Sequence, residues 1–371
     1  MILANDFGRQ WRDLGEDALS AFAEVGARGW YVLGEEVCRF EQELACYWKF
    51  SDAVGVASGL DALEVSLRVL NCKAGDKVLT TPVSAFATTL AIVKLGAVPV
   101  FADVDERGLL DLDAARAALK EDQSIRFCVP VHLFGHALDA ARLRSLRNEF
   151  DLAIVEDCAQ SIGALWKGEP TGLGGQCAAT SFYPTKNLGA LGDGGAILTN
   201  DQSLSTEARV LRDYGQRAKY RHEVIGYNSR LDELHASFLR RAALPRLERW
   251  LSRRRQIAER YLEGIRNPAI EICPAPCGSE SSWHLFPVLV QPQRKSEFLS
   301  YLKQCGITAG EHYPATIPEQ PAMKHLAFEI ASGGIGRSER FCRSEVSLPI
   351  HPYLTDDEIA MVIESVNRWS F

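Results

Sequence analysis

Ala53-Val54-Gly55-Val56-Ala57-Ser58-Gly59-Leu60-Asp61-Ala62-Leu63-Glu64-Val65-Ser66-Leu67-Arg68-Val69-Leu70 joins a short apolar run to a segment with leucines at i, i+3, i+7 and i+10. The first part reads as a buried strand, the second as an amphipathic helix. A glycine at such a helix start leaves backbone N–H groups pointing outward, which suits a phosphate. The same step, small residues opening a helix after a strand, is also ordinary loop chemistry.

Working outward, the alternation repeats. Further strands are expected at Val78 to Thr81, Val98 to Val104, Phe127 to Val131 and Leu152 to Val155. Between them lie helix-period segments, Ser84 to Leu95 stopping at Gly96, and the alanine-rich Leu112 to Lys120. Such β-α-β order predicts an α/β fold with right-handed crossovers and a mostly parallel sheet covered on both faces. Ligands of such sheets sit beyond the carboxyl ends of the strands, so residues just after each strand carry the functional reading.

Residues 233 to 266 read as long helical segments interrupted near Pro245, with Arg253-Arg254-Arg255 expected on a solvated helix face. After Pro268 short strands and helices predict a smaller α/β unit, through Trp283 to Val290, Ser296 to Gln304, Glu345 to Leu348 and Thr355 to Asn367.

Composition bounds the function. The 371 residues can bury two cores, and 46% hydrophobic with 24% charged residues is ordinary for a soluble globular chain. A net charge of −7 argues against general affinity for nucleic acid or anionic membrane. No apolar run is long enough to cross a bilayer. Met1-Ile2-Leu3-Ala4-Asn5-Asp6 has neither a basic nor an apolar signal region, so a cytoplasmic location is expected. The ten cysteines are scattered without a C-x-x-C pair, which predicts reduced, mostly buried thiols and no metal.

Four strand ends carry chemistry. Ser58-Gly59-Leu60 is the candidate phosphate cradle. Phe86, at a helix start after Val78-Leu79-Thr80-Thr81-Pro82, can stack on a planar ring or simply fill the core. Glu156-Asp157 closes an apolar strand and delivers at least one carboxylate to the crevice, with Gln160 in reach; Asp157 as a helix N-cap is the plainer alternative. Ser181-Phe182-Tyr183-Pro184-Thr185-Lys186-Asn187-Leu188-Gly189-Ala190-Leu191-Gly192-Asp193-Gly194-Gly195 places a lysine in a glycine-crowded loop before a new strand. Desolvation there lowers the lysine pKa and makes a usable amine nucleophile.

Order and spacing of these parts resemble the DegT/DnrJ/EryC1/StrS family of sugar aminotransferases. The resemblance covers nearly the whole chain, from Gly29-Trp30-Tyr31-Val32-Leu33-Gly34 through Val131-His132-Leu133-Phe134-Gly135 and Gly226-Tyr227-Asn228-Ser229-Arg230 to Ser347-Leu348-Pro349-Ile350-His351-Pro352. It implies the aspartate aminotransferase-like fold type I of pyridoxal 5'-phosphate (PLP) enzymes. A large domain, residues 1–245, would hold a mixed, mostly parallel sheet, and residues 246–371 a smaller α/β domain. Lys186 would carry PLP as a Schiff base and shuttle the proton. Asp157 would pair with the pyridine nitrogen, Gln160 reach the ring hydroxyl and Phe86 lie on the ring face. Gly59 and Leu60 would offer backbone N–H groups to the phosphate and Ser181 its hydroxyl. Many relatives carry threonine where this chain has Leu60, so no hydroxyl is expected there. Asn228 would reach the phosphate of a partner subunit, which implies a homodimer with shared sites. Tyr31, Tyr183, Lys219, Tyr220, His312 and Tyr313 match positions near a nucleotide sugar, while His132 and Cys158 are expected to be packing residues.

The implied reaction moves an amino group from L-glutamate to a keto group, carbon 3 favoured, of a nucleotide-linked 6-deoxy sugar, with dTDP as the expected nucleotide. Tyr183 carries the preference for carbon 3, since the 4-aminating subgroup commonly has histidine there. A 4-keto sugar 4-aminotransferase is the near alternative. A non-catalytic PLP-fold sensor or regulator is the distant one, weighed against by Lys186, Asp157 and Gln160. A sugar dehydratase, with histidine in place of Lys186, is disfavoured.

Overall fold

The computed structural model describes residues 1–370. Helices α1 (Phe7–Arg28) and α2 (Glu35–Trp48) precede the first strand. Asp6 caps α1 by accepting the Arg9 N–H at 2.8 Å. Strand β1 (Asp52–Val56) then leads into α3 (Gly59–Val69), as its apolar run and leucine period predict. The alternation continues as β2 (Lys77–Thr80), α4 (Phe86–Lys94), β3 (Val98–Phe101), β4 (Ile125–Val129) and β5 (Ala153–Asp157). Gly96 turns the chain out of α4 at φ 73°, with its N–H on the Val93 carbonyl. Strands β6 (Cys177–Ser181) and β7 (Gly195–Thr199) follow.

These strands form one sheet in the order β1-β7-β6-β5-β4-β2-β3, extended at its edge by Glu329–Ile330. Every pairing is parallel except those of β7, which runs antiparallel to both β1 and β6. Alternate residues serve opposite faces. Ala53, Ala178, Ala196 and Leu198 pack with Phe40, Leu44 and Trp48 of α2, whereas Val54, Ala179 and Ile197 pack with Leu63 and Leu67 of α3. A sheet buried on both sides explains why its strands read as continuous apolar runs.

Beyond the sheet, Glu233–Phe238, a π-helical turn at Leu239–Ala243 and Leu244–Arg246 run on into the helix Leu247–Gly264. That helix, with Lys295–Gln304 and Asp356–Arg368, covers a three-stranded antiparallel sheet of Glu271–Ile272, Phe286–Leu289 and Glu345–Leu348. Tyr261, Phe286, Phe298 and Val362 fill this second core. Two segments cross between the halves: Ile2 pairs with Ile307, and Ile330 with Phe101.

The expectation for Arg253-Arg254-Arg255 is corrected here. Arg254 is buried, and its guanidinium donates to the Trp283, His284 and Ile350 carbonyls. Arg253 holds the Leu354 carbonyl and Asp356, and Arg255 the Gly163 and Ser281 carbonyls. Three loops end on this helix, and their carbonyls need donors that a fork of five N–H groups supplies.

All ten cysteines are free thiols, six of them buried. Among the described residues, no helix is long and apolar enough to cross a membrane, and no cluster of His, Cys, Asp or Glu could hold a metal ion.

Candidate active site

The register at one edge of the sheet assembles the site. Gly195, the first residue of β7, pairs with Val56 of β1 and with Ser181 of β6. The carboxyl ends of β1 and β6 therefore lie together, and the turn after β1 folds over Ser181. A Cβ on Gly195 would stand 2.4 Å from the Ser58 carbonyl oxygen, and one on Gly59 2.6 Å from Ser181 Cβ. Only glycine permits this approach. Ser58 caps α3 by accepting the Asp61 N–H at 3.1 Å. Ser229 clamps the turn, donating to Asp61 Oδ2 at 2.7 Å and accepting the Ala57 N–H at 3.1 Å. Among the described residues the Gly59 and Leu60 N–H groups meet no acceptor, and Ser181 Oγ lies beside them. A helix N-terminus of this kind fits a phosphate.

Across the crevice, β5 ends on two acids that alternate between faces. Glu156 turns away and is held by the Gly172 and Gly175 N–H groups and by His132 Nε2 at 2.7 Å. His132 Nδ1 accepts the Leu138 N–H, so Nε2 carries the proton that Glu156 receives. His132 is thus a buried strut, and Cys158 is a buried core thiol. Asp157 turns inward. Its Oδ2 accepts from Thr88 Oγ1 at 2.8 Å and its Oδ1 from the Ala159 N–H at 3.1 Å, with no helix following for it to cap. Burial raises the Asp157 pKa, against the pull of Thr88, Ala159 and the Lys186 charge. A buried carboxylate so placed is suited to a cationic ring N–H.

Lys186 leaves a turn whose N–H returns to the Tyr183 carbonyl at 2.8 Å. Its ammonium has no hydrogen-bond partner among the described residues, and burial lowers its pKa to about 8 despite the nearby Asp157. The lowered value makes neutral amine, the form that attacks a carbonyl, far more available near neutral pH than on an ordinary lysine. Next to it, Asn187 donates to the Ser282 carbonyl and accepts from His284 Nδ1 at 3.3 Å.

Gln160 takes the Phe134 N–H on Oε1 at 2.7 Å, which orients its amide, and Nε2 faces the Tyr313 hydroxyl at 3.3 Å. Phe86 heads α4, the helix that brings Thr88 to Asp157, and packs on the cluster of Phe101, Ile317 and Met323. His312 is tied to Ser347 and Glu345. Burial pushes its pKa down to about 4, helped by the Lys186 charge.

The structure thus gathers Gly59, Leu60 and Ser181 at one end of the crevice and Asp157, Gln160, Lys186, His312 and Tyr313 at the other. Apart from Phe86, the remaining expected residues lie at the surface of the single chain. Tyr183 is 51% exposed, Tyr31 52% and Tyr220 82%, and Lys219 lies over the Tyr220 ring on the exposed hairpin Gln216–His222. Asn228 is exposed beside the clamp Ser229. Thr88, Ser229, Asn187, His284, Glu345 and Ser347 were not legible as site residues. Asn187 and Ser229 lie inside quoted stretches, next to Lys186 and Asn228, but nothing local gives them a role; the others lie off a strand's carboxyl end or far along the chain.

A phosphate cradle, an inward carboxylate and a desolvated lysine on an eight-stranded α/β sheet define a fold type I PLP enzyme. Residues 12–367 match the DegT/DnrJ/EryC1/StrS aminotransferase family, and the chain belongs to it. It is 40% identical over 367 residues to dTDP-3-amino-3,4,6-trideoxy-alpha-D-glucose transaminase of Streptomyces venezuelae, covering 98% of this chain and 95% of that one. To dTDP-3-amino-3,6-dideoxy-alpha-D-galactopyranose transaminase of Aneurinibacillus thermoaerophilus it is 39% identical, covering 95% and 94%. The crystal structure of S. venezuelae DesV in complex with a ketimine intermediate superposes with a TM-score of 0.94 at 39% identity, over 100% of this chain and 98% of that one. The protein is a PLP-dependent aminotransferase.

Proposed function

We propose that this aminotransferase moves an amino group from L-glutamate to the carbon 3 keto group of a dTDP-linked 6-deoxy sugar. The observation that carries the reaction is Lys186, an unpaired, desolvated amine close enough to Asp157 to feel its charge. The substrate class rests on the two transaminases of nucleotide-linked 3-amino sugars that are 39–40% identical to this chain.

The residues present fit the cofactor. Gly59 N–H, Leu60 N–H and Ser181 Oγ would hold the phosphate, Asp157 the ring nitrogen and Gln160 Nε2 the ring hydroxyl, with Phe86 on the ring face. Bound there, PLP supplies an electron-withdrawing ring that delocalises charge from the carbon losing its proton. Lys186 Nζ accepts that proton in one half-reaction and returns it in the other. Thr88 and the Ala159 N–H favour the ionised form of Asp157 against the burial that raises its pKa, and that carboxylate would pair with a protonated ring nitrogen. Tyr183, Tyr313 and His312 position the sugar, where a shift of one bond length separates carbon 3 from carbon 4.

The working unit is a cytoplasmic homodimer, in which Asn228, Lys219, Tyr220 and Tyr31 serve the neighbouring copy's site. Their exposure supports this reading. Each copy divides near residue 245 into a cofactor-holding part and a smaller part that brings His312 and Tyr313. Incubation with glutamate and either a 3-keto or a 4-keto dTDP-6-deoxyhexose, followed by NMR of the amino sugar, tests the proposal. The expected product carries nitrogen at carbon 3; preference for the 4-keto compound overturns the regiochemistry.

A further inference from the structure

One buried carboxylate has no part in the mechanism above. Glu345 and Ser347 are two apart on the strand Glu345–Leu348, so their side chains share a face. Ser347 is bridged to Gly310 by two hydrogen bonds of 2.9 Å, which lays the segment carrying His312 alongside that face. Glu345 Oε2 accepts the His312 backbone N–H at 2.5 Å, and Oε1 accepts from the Ser347 hydroxyl. Ser347 Oγ in turn lies 2.9 Å from His312 Nδ1.

These bonds set the imidazole tautomer. A serine has one proton to donate. With the carboxylate taking it, Ser347 Oγ meets Nδ1 as an acceptor, so Nδ1 holds the ring proton. His312 Nε2 is left as a lone pair, without a partner among the described residues, on a ring close enough to Lys186 to feel its charge. The ring stays neutral through the working range.

We propose that Glu345 and Ser347 are positioning residues that hold His312 with Nε2 as a hydrogen-bond acceptor, so that this ring reads a hydroxyl of the sugar rather than a keto or phosphate oxygen. The inference deepens the sugar aminotransferase reading and rests on it for the ligand, though not for the tautomer. An acceptor-only nitrogen repels other acceptors, so it selects by the group's hydrogen as well as by shape.

Several charged and titratable groups face the carboxylate. Lys295 bridges Glu311 and the Cys342 carbonyl, and Tyr313, Cys273 and Cys342 also lie within its field. Burial raises the Glu345 pKa to about 7, so the carboxylate form assumed above predominates at pH 8.5.

The test is 15N NMR of the histidine-labelled holoenzyme at pH 8.5, with the His312 signals assigned by loss in His312→Gln. The expected pattern is a pyrrole-type Nδ1 and a pyridine-type Nε2. Ser347→Ala should mix the two tautomers, while Ser347→Thr, which keeps the hydroxyl, should restore the single form. In kinetics, Ser347→Ala should raise KM for the keto sugar about tenfold and leave the glutamate half-reaction, followed by absorbance, within about twofold. A protonated Nε2 in the unsubstituted enzyme overturns the proposal, as does an unchanged pattern in Ser347→Ala. If the tautomer is as stated but no nucleotide sugar is aminated, the substrate reading fails and the relay stands.

Discussion

Lys186 is a loop residue whose backbone is held by Tyr183, so truncating its side chain removes chemistry rather than packing. Lys186→Ala should fold normally, fail to develop the yellow colour on adding PLP, and lose turnover by roughly 10³-fold or more. Reduction with borohydride should fix the cofactor on Lys186 in the unsubstituted protein; a label on another lysine contradicts the mechanism. The direction of the Lys186 shift also makes a pH prediction. With its pKa lowered to about 8, the amine is protonated below that value and neutral above it. Only the neutral amine attacks a carbonyl, so the rate of PLP capture by apo-protein should rise with pH through a midpoint near 8. A midpoint near 10.5 would mean the lysine is not desolvated. Thr88 offers a second test. Its hydrogen bond favours the charged form of Asp157, so Thr88→Val should raise the Asp157 pKa further. Losing one bond to a buried carboxylate costs about 1.5 kcal/mol, so turnover should fall roughly tenfold. The acid limb of the pH–rate profile should move to higher pH.

At the scale of elements, the crevice exists because β7 reverses direction. Its first residue faces Val56 and Ser181 together, and the α3 N-terminus is pressed against β6 with no room for a Cβ. Gly59→Ala puts a methyl group 2.6 Å from Ser181 Cβ, so the helix start must shift away from the phosphate position. PLP should then bind about tenfold more weakly, close to 1.4 kcal/mol, while pyridoxal, which has no phosphate, should bind as before. Fluorescence titration of apo-protein with the two compounds checks this. Equal weakening of both would point to a general distortion instead.

At the scale of the whole molecule, apolar surface collects where the single chain has no use for it. Tyr220 and Ile225 are each 82% exposed on the segment around the hairpin, and Trp30, Tyr31 and Val32 are exposed between α1 and α2. Clusters of exposed apolar side chains are characteristic of protein interfaces. Sedimentation should therefore give a dimer. Mixing Lys186→Ala with Asn228→Ala should produce hybrids in which one site has an intact lysine and an intact Asn228 from the other copy. Activity should recover above that of either variant. No recovery in mixtures shown to exchange subunits would place Asn228 in its own subunit's site.

How much of this could be read from the chain follows from the range of the forces involved. Strand–helix alternation, the leucine stripe of α3, and the positions of Gly59, Asp157, Lys186 and Ser181 at strand ends are local patterns, set by side-chain period and loop composition. They were legible because an apolar run of five residues and a 3.6-residue stripe can be buried in few ways. The antiparallel course of β7, the inward turn of Asp157 with Glu156 facing away, and the burial of Arg254 depend on partners far along the chain. The two N-terminal helices stand outside the strand–helix alternation that marks the rest, although the Asp6 cap of α1 is local. The grouping of His312, Ser347 and Glu345 needs two segments more than 30 residues apart to meet. No local period records such meetings; they are settled by which carbonyls, carboxylates and loops remain to be satisfied when the two cores close.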